Sequence, residues 1–188
     1  MRLLKKIAKE ILFFKIKLKN KTKIKKSLSI INPQYFSFGK NVNIGKYCKL
    51  HCFDKYENKS YNPSIFIDDN AYIGDFFSII TASNIVIKKN ALIASNVLLC
   101  GLNHGFKEIN VPFTKQAIIS RGIIIGENCW IGEKVIILDG VQIGDNCVIG
   151  AGSVVTKSIP SNCIVGGNPA KILKIYNTKE KTWEKYNF

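Results

Sequence analysis

A period of six residues constrains this chain more than any other feature. From Ile125 the sequence reads IGENCW, IGEKVI, ILDGVQ, IGDNCV, IGAGSV and VTKSIP, so Ile125, Ile131, Ile137, Ile143, Ile149 and Val155 lead successive hexads. The same spacing holds at Phe38, Ile44 and Leu50, at Ile67, Ile73 and Ile79, and at Ile87, Ile93 and Leu99. The fifth position is small or β-branched in most copies, as in Val42, Cys48, Ala71, Ala91, Val97, Val135, Val141 and Ser153. Six fits neither the 3.6-residue turn of an α-helix nor a heptad seam. It suits a short extended rung followed by a bend, with the aliphatic leader pointing inward and glycine, aspartate or asparagine at the bend. Three rungs close a triangular coil, and coils stack as parallel strands about 4.8 Å apart. An antiparallel sandwich needs a strand every eight to twelve residues, and an unbroken period of six leaves no room for it. The fifteen hexads therefore predict a mainly β fold, a parallel β-helix of about five coils.

Charge separates the ends of the chain from its body. The formal net charge is +15, yet residues 1–26 hold 11 basic side chains and one acid, Glu10. The remaining 162 residues carry 17 basic and 12 acidic groups. Leu4, Ile7, Ile11, Phe14 and Leu18 recur at helical spacing among lysines, which predicts a basic amphipathic helix. Such a helix either lies on an anionic membrane surface or packs its apolar stripe on the body. No aromatic platform or nucleic-acid motif accompanies the charge, so nucleic acid is not an expected partner. No apolar run approaches the roughly 20 residues that span a bilayer, and Lys9 and Glu10 interrupt the one stretch resembling an export signal. The expected location is cytoplasmic, with peripheral contact at the inner face of the membrane. The expected organisation is a basic segment at 1–26, a β-helix domain at 27–175 and a tail at 176–188.

The six cysteines form no CxxC pair, and Cys48, Cys129 and Cys147 fall on the small fifth position, so they read as core fillers. No metal site is expected.

Two interruptions break the rungs. Residues 52–63 are polar and read as a surface loop without an assigned role. Residues 100–122 form a longer loop holding His104, one of two histidines in the chain. Loops of this length in a compact repeat are uncommon and often functional. His51 follows Leu50 in a rung, so alternation turns it outward.

The hexads resemble those of the hexapeptide-repeat acyltransferases. The resemblance spans roughly residues 38–175 and is most specific from Ile125 to Ile172, in ENCWIGEKVIILDGVQIGDNCVIGAGSVVTKSIP followed by GGNPAK. This stretch is similar to the branch holding sugar O-acetyltransferases and xenobiotic acetyltransferases. The resemblance implies a left-handed coil, against the usual right-handed crossover preference, with a protruding loop and a short C-terminal helix. It also implies a homotrimer and acetyl-CoA as the acyl donor. Moving an acetyl group from a thioester to a hydroxyl needs a base that takes the hydroxyl proton, and histidine, with an unperturbed pKa of about 6.5, can also return a proton to the leaving thiolate. In the family that base sits at the mouth of such a loop, and Gly101-Leu102-Asn103-His104 matches the position.

Further site residues follow from the resemblance. Asn84 and Asn103 are candidate polar contacts to the acyl group or acceptor. Trp130, outward by alternation, either seals a subunit interface or lines the substrate tunnel. Ala151 and Gly152 would let the pantetheine lie close to the backbone. Thr156 and Lys157 match positions near the adenine, and Lys171 and Lys174 match basic positions near the phosphates, usually arginine in relatives. Lysine keeps that charge but lacks the bidentate fork. Cys100 as a covalent nucleophile lacks a spacing that supports a dyad, and Glu108 is the nearest acid in sequence to His104. The expected activity is O-acetylation of a saccharide, probed against an amino-sugar N-acetyltransferase and a non-catalytic scaffold as alternatives.

Overall fold

The computed structural model describes residues 20–25 and 27–186 as a three-faced stack of short strands. The chain visits the faces in rotation. The first face orders Lys23–Ile24, Asn43–Ile44, Tyr72–Ile73, Leu92–Ile93, Trp130–Ile131, Val148–Ile149 and Cys163–Gly167, all parallel, and ends in Ala170–Asn177 and Thr182–Lys185. The second face stacks Ser29–Ile31, Lys49–Cys52, Ser78–Thr81, Leu98–Gly101, Ile136–Leu138 and Val154–Val155 in parallel. The third stacks Phe36–Phe38, Ile65–Ile67, Ile85–Ile87, Ile123–Ile125 and Gln142–Ile143, with a last parallel bridge from Ile143 to Ile159.

The hexad leaders fall on one another through the stack. On the first face Ile44, Ile73, Ile93, Ile131, Ile149 and Val165 are in register, and all are buried. Leu50, Ile79, Leu99, Ile137 and Val155 do the same on the second, and Phe38, Ile67, Ile87, Ile125 and Ile143 on the third. The fifth-position residues fill the corners, so Cys48, Cys129 and Cys147 are buried free thiols. Burial pushes the thiols of Cys48 and Cys163 up, and that of Cys52 to about 12, which leaves them chemically quiet at neutral pH.

The bends explain the polar part of the hexad. At the corner between the third and first faces, Asn41, Asn70, Asn90, Asn128, Asn146 and Asn162 all adopt left-handed backbone, with φ between 54° and 62°. Asparagine tolerates that region better than most side chains. Their amides also pair along the axis, Asn41 to Asn70 and Asn70 to Asn90 at 3.2 Å, then Asn128 to Asn146 at 3.0 Å and Asn146 to Asn162 at 3.2 Å. Glycine after the leading isoleucine answers a different need. A Cβ on Gly126 would sit 2.5 Å from the Gly144 carbonyl of the next coil.

Three expectations change. The second face carries six strands rather than five, because residues 23–31 add two rungs at the N-terminal end, before the expected rung at Phe38. The stack thus begins at Lys23, inside the segment expected to precede it, while the helix expected over Leu4 to Leu18 lies outside the described residues. The expected C-terminal helix is instead a strand. After Gly167, at φ 101°, the chain reverses and Ala170–Asn177 pairs antiparallel with Cys163–Gly167. Ala170, Ile172 and Ile175 pack on the core from that edge, and the register shift at Ile164/Val165 lets both isoleucines face it. Tyr176 and Asn177, expected in the tail, belong to this strand, and Thr182–Lys185 closes the sheet. Among the described residues no helix is long and apolar enough to cross a membrane.

Candidate active site

Both interruptions of the repeat leave the stack at the same corner, where the second face turns into the third. Residues 53–64 connect Lys49–Cys52 to Ile65–Ile67, and residues 102–122 connect Leu98–Gly101 to Ile123–Ile125. One coil, turning through Ala82, Ser83 and Asn84, separates them.

The longer loop begins as a ribbon in which Asn103–His104 pairs antiparallel with Ile118–Ile119, His104 opposite Ile118. A two-residue ribbon has little stability of its own, and its root is correspondingly well tied. The Gly101 carbonyl accepts from the buried Thr81 hydroxyl at 3.2 Å and from Ser120 Oγ at 2.5 Å, and Ser120 in turn accepts from the Ala82 N–H. Farther out, the buried Gln116 side chain donates to the carbonyls of Glu108 and Val111, both at 2.9 Å, and accepts from the Glu108 N–H. The chain returns through Gly122, at φ 95°, where any Cβ would collide with the Asn84 carbonyl. Asp139, on the next coil, caps this return. Its Oδ1 accepts from the N–H groups of Arg121 and Gly122 at 2.7 and 2.9 Å, and its Oδ2 lies 3.8 Å from Arg121 Nε. With only 1% of the Asp139 side chain exposed, the two bonds to Oδ1 offset part of the cost of a buried carboxylate, while Oδ2 accepts no hydrogen bond among the described residues.

His104 itself is exposed. Among the described residues its ring accepts or donates no hydrogen bond, so neither Glu108 nor another carboxylate orients it. Its contact is with Tyr56 of the shorter loop, edge to face, with ring centroids 5.3 Å apart and planes at 68°. Such pairs contribute about 0.5–1.5 kcal/mol beyond burial. An exposed imidazole on a tied ribbon can accept a proton from a hydroxyl and hand it on.

The other expected site residues distribute unevenly. Asn103 neighbours His104 on the ribbon, and alternation sends the two side chains to opposite sides. Asn84 lies at the same corner, its carbonyl accepting from the Ile123 N–H at the loop return. Thr156 and Lys157 follow Val154–Val155 at this corner too, in the last coil, whereas Ala151 and Gly152 form the bend before that strand. All four are exposed, and a Cβ on Gly152 would meet nothing within 4 Å. Lys171 and Lys174 are exposed on the reversed strand of the first face, not on a helix. Trp130 is 53% exposed on the first face, away from the loop corner, so one chain does not bring it to His104. His51 shares a hydrogen bond with Ser29 at 2.9 Å, apart from the loops. Cys100 is half-buried, with its Sγ directed at the Leu102 carbonyl. No cluster of three or more potential metal ligands occurs among the described residues.

Sequence reasoning missed Tyr56, Gln116, Ser120 and Asp139. Only Asp139 carried a local signal, an aspartate-glycine bend within a hexad.

Comparisons with known proteins bear on the family and the fold. Residues 122–157 match the model of the bacterial transferase hexapeptide (six repeats). The chain is 34% identical over 186 residues to Escherichia coli (strain K12) WbbJ, named for lipopolysaccharide biosynthesis O-acetyl transfer, covering 95% of this chain and 91% of that one. Among solved structures, a maltose O-acetyltransferase from Clostridium difficile 630 aligns with a TM-score of 0.61 at 34% identity, over 76% of this chain and 71% of the other. The N-acyltransferase AntD from Bacillus cereus, solved with dTDP-4-amino-4,6-dideoxyglucose and coenzyme A, aligns with a TM-score of 0.71 over 86% and 83%, and at 23% identity it shares the fold alone. By its near-full-length identity to WbbJ and its hexad architecture, the chain belongs to the hexapeptide-repeat transferase family and is an acetyltransferase of its sugar O-acetyltransferase branch.

Proposed function

We propose that this protein transfers the acetyl group of acetyl-CoA to a hydroxyl of a saccharide, part of a surface polysaccharide or its precursor, with His104 as the base. The observation that carries the reading is the exposed imidazole held on a tied ribbon at the one corner where both loops emerge. His104 removes the hydroxyl proton as the oxygen attacks the thioester carbonyl. Collapse of the tetrahedral species breaks the carbon–sulfur bond, and the imidazolium returns the proton to the coenzyme A sulfur, leaving ester and free thiol. Asn103 and Asn84 are polar contacts for the acyl group or acceptor. The exposed bend at Ala151 and Gly152 supports the pantetheine, Thr156 and Lys157 the adenine end, and Lys171 and Lys174 supply positive charge for the phosphates.

The coil is left-handed and the protein a homotrimer in this reading. The first face supports assembly, because Tyr72, Leu92 and Trp130 lie in register as an exposed apolar ladder, 45%, 45% and 53% open. Donor and acceptor meet where two subunits adjoin. The first coils support contact with the inner face of a membrane. No acid occurs between Glu10 and Asp54, and Lys21, Lys23, Lys25, Lys40, Lys46 and Lys49 are exposed. Deleting residues 1–19 is expected to weaken binding to anionic liposomes while leaving transfer to a soluble acceptor intact. Unchanged liposome binding removes the membrane reading.

The direct test is thiol release from acetyl-CoA with hydroxyl-bearing and amine-bearing sugars as competing acceptors. Preference for the hydroxyl acceptor, abolished in His104→Ala, supports the proposal. Preference for the amine would replace it with N-acetylation.

A further inference from the structure

The shorter loop, without any role in the hexad pattern, is fastened to the longer one across an intervening coil. Lys55–Tyr56 and Lys59–Ser60 form a two-stranded hairpin turned through Glu57, at φ 48°. From it Tyr56 Oη donates to the Thr114 carbonyl at 2.8 Å. Tyr61 Oη donates to the Ile118 carbonyl at 3.0 Å. Glu57 pairs with Lys115 at 3.3 Å. All three ties join residues 57 or 58 apart in sequence, and all end on the returning half of the loop. Ile118 is the residue that pairs with His104 in the ribbon, so the hairpin grips the strand that carries the base's partner. It then places the Tyr56 ring against the imidazole itself.

We propose that this hairpin belongs to the acetyl-transfer apparatus, and that Tyr56 is the positioning residue that sets the plane of the His104 ring. The proposal rests on His104 being the base. The ring nitrogens make no hydrogen bond among the described residues, so aromatic packing takes the place of a carboxylate or carbonyl partner in fixing the imidazole. A base must be held within a fraction of an ångström of its productive pose, and a displacement of about 1 Å costs on the order of 10²-fold in rate.

The test compares Tyr56→Leu and Tyr56→Phe with His104→Gln in the full-length protein. Tyr56→Leu keeps apolar bulk without the aromatic edge and is expected to lower kcat by about 10- to 100-fold, with KM for acetyl-CoA unchanged. Tyr56→Phe keeps the ring and loses only the bond to Thr114, and should recover most of kcat. Because the chain has two histidines, its imidazole proton resonances form two sets, assigned by the loss of one in His104→Gln. The His104 set is expected to shift in Tyr56→Leu and to stay near its original position in Tyr56→Phe, while the His51 set remains fixed as a control on folding. If His104→Gln is inactive but Tyr56→Leu leaves kcat within about two-fold and the His104 resonances in place, Tyr56 has no positioning role. If His104→Gln is fully active, the base assignment falls and this inference with it.

Discussion

The regular stack and the loop corner are stabilised in opposite ways. Inside the stack every interaction has copies above and below. Ile131 lies between Ile93 and Ile149 in a column of like residues, and each left-handed asparagine has a neighbour doing the same job. At the corner each contact is used once. One glutamine holds the loop, one serine ties its root, one aspartate caps its return and one tyrosine meets the histidine. Redundancy lets a narrow object bury a core, and singular contacts let it present a reactive group at a defined point. Stability and chemistry should therefore separate on mutation.

The largest expected effect tests that separation directly. His104→Ala should lower turnover by about 10²–10⁴-fold, with Tm shifted by only about 2–4 °C, because the exposed ring contributes little beyond its contact with Tyr56. A large loss of Tm would mean that the corner is structural after all. The converse is Ile131→Ala, which empties a buried site in mid-column and should cost about 2–5 kcal/mol in denaturant unfolding. The residual folded enzyme should keep its KM values. Gln116→Ala falls between the two regions. It strands the Glu108 and Val111 carbonyls, a local cost of about 1–3 kcal/mol. Limited proteolysis should then cut residues 105–117 faster while the global unfolding midpoint barely moves. The smallest effect is electrostatic. The Glu127 N–H donating to Asp145, helped by Lys88, holds that carboxyl below the usual range. A depressed folded pKa gives stability that is present above the unfolded value, near 3.9, and lost as pH falls through the folded value. With 43% of the side chain exposed, solvent screening limits this to about 0.5 kcal/mol. Asp145→Asn should flatten the decline of the urea midpoint below about pH 4, and an unchanged pH profile would remove Asp145 as a contributor.

The hexad leaders were legible because a single period prescribes both the bend and the buried face, and each leader from Phe38 to Val155 is buried. The added start of the stack keeps the six-residue spacing at Ile24 and Ile30, in register with Ile44 and Leu50. It was hidden by Lys23, Lys25 and Lys26, which continue the basic helical pattern before them, and by the break at Asn32. The reversed strand was misread for a related reason. Ile172 and Ile175 are three apart, a helical interval, and only the bulge at Leu173 between them makes that interval fit a strand. At the candidate site, the loop that carries His104 was legible from the broken rung. Tyr56 was not, because its contact spans two coils and exists only since both loops leave the same edge. No local pattern encodes that coincidence.

The reversal at Gly167 has a consequence for how such molecules avoid one another. A ladder of parallel rungs is a template that a second ladder can extend, and nothing in the hexads themselves says where to stop. Here the long sheet ends in the reversed strand Ala170–Asn177 and then in the four-residue strand Thr182–Lys185, exposed along its length with Glu184 and Lys185 on it. Short length and charge together make this rim a poor seed for filament growth, so the finite length of the prism on that side is written into a hairpin rather than into the repeat.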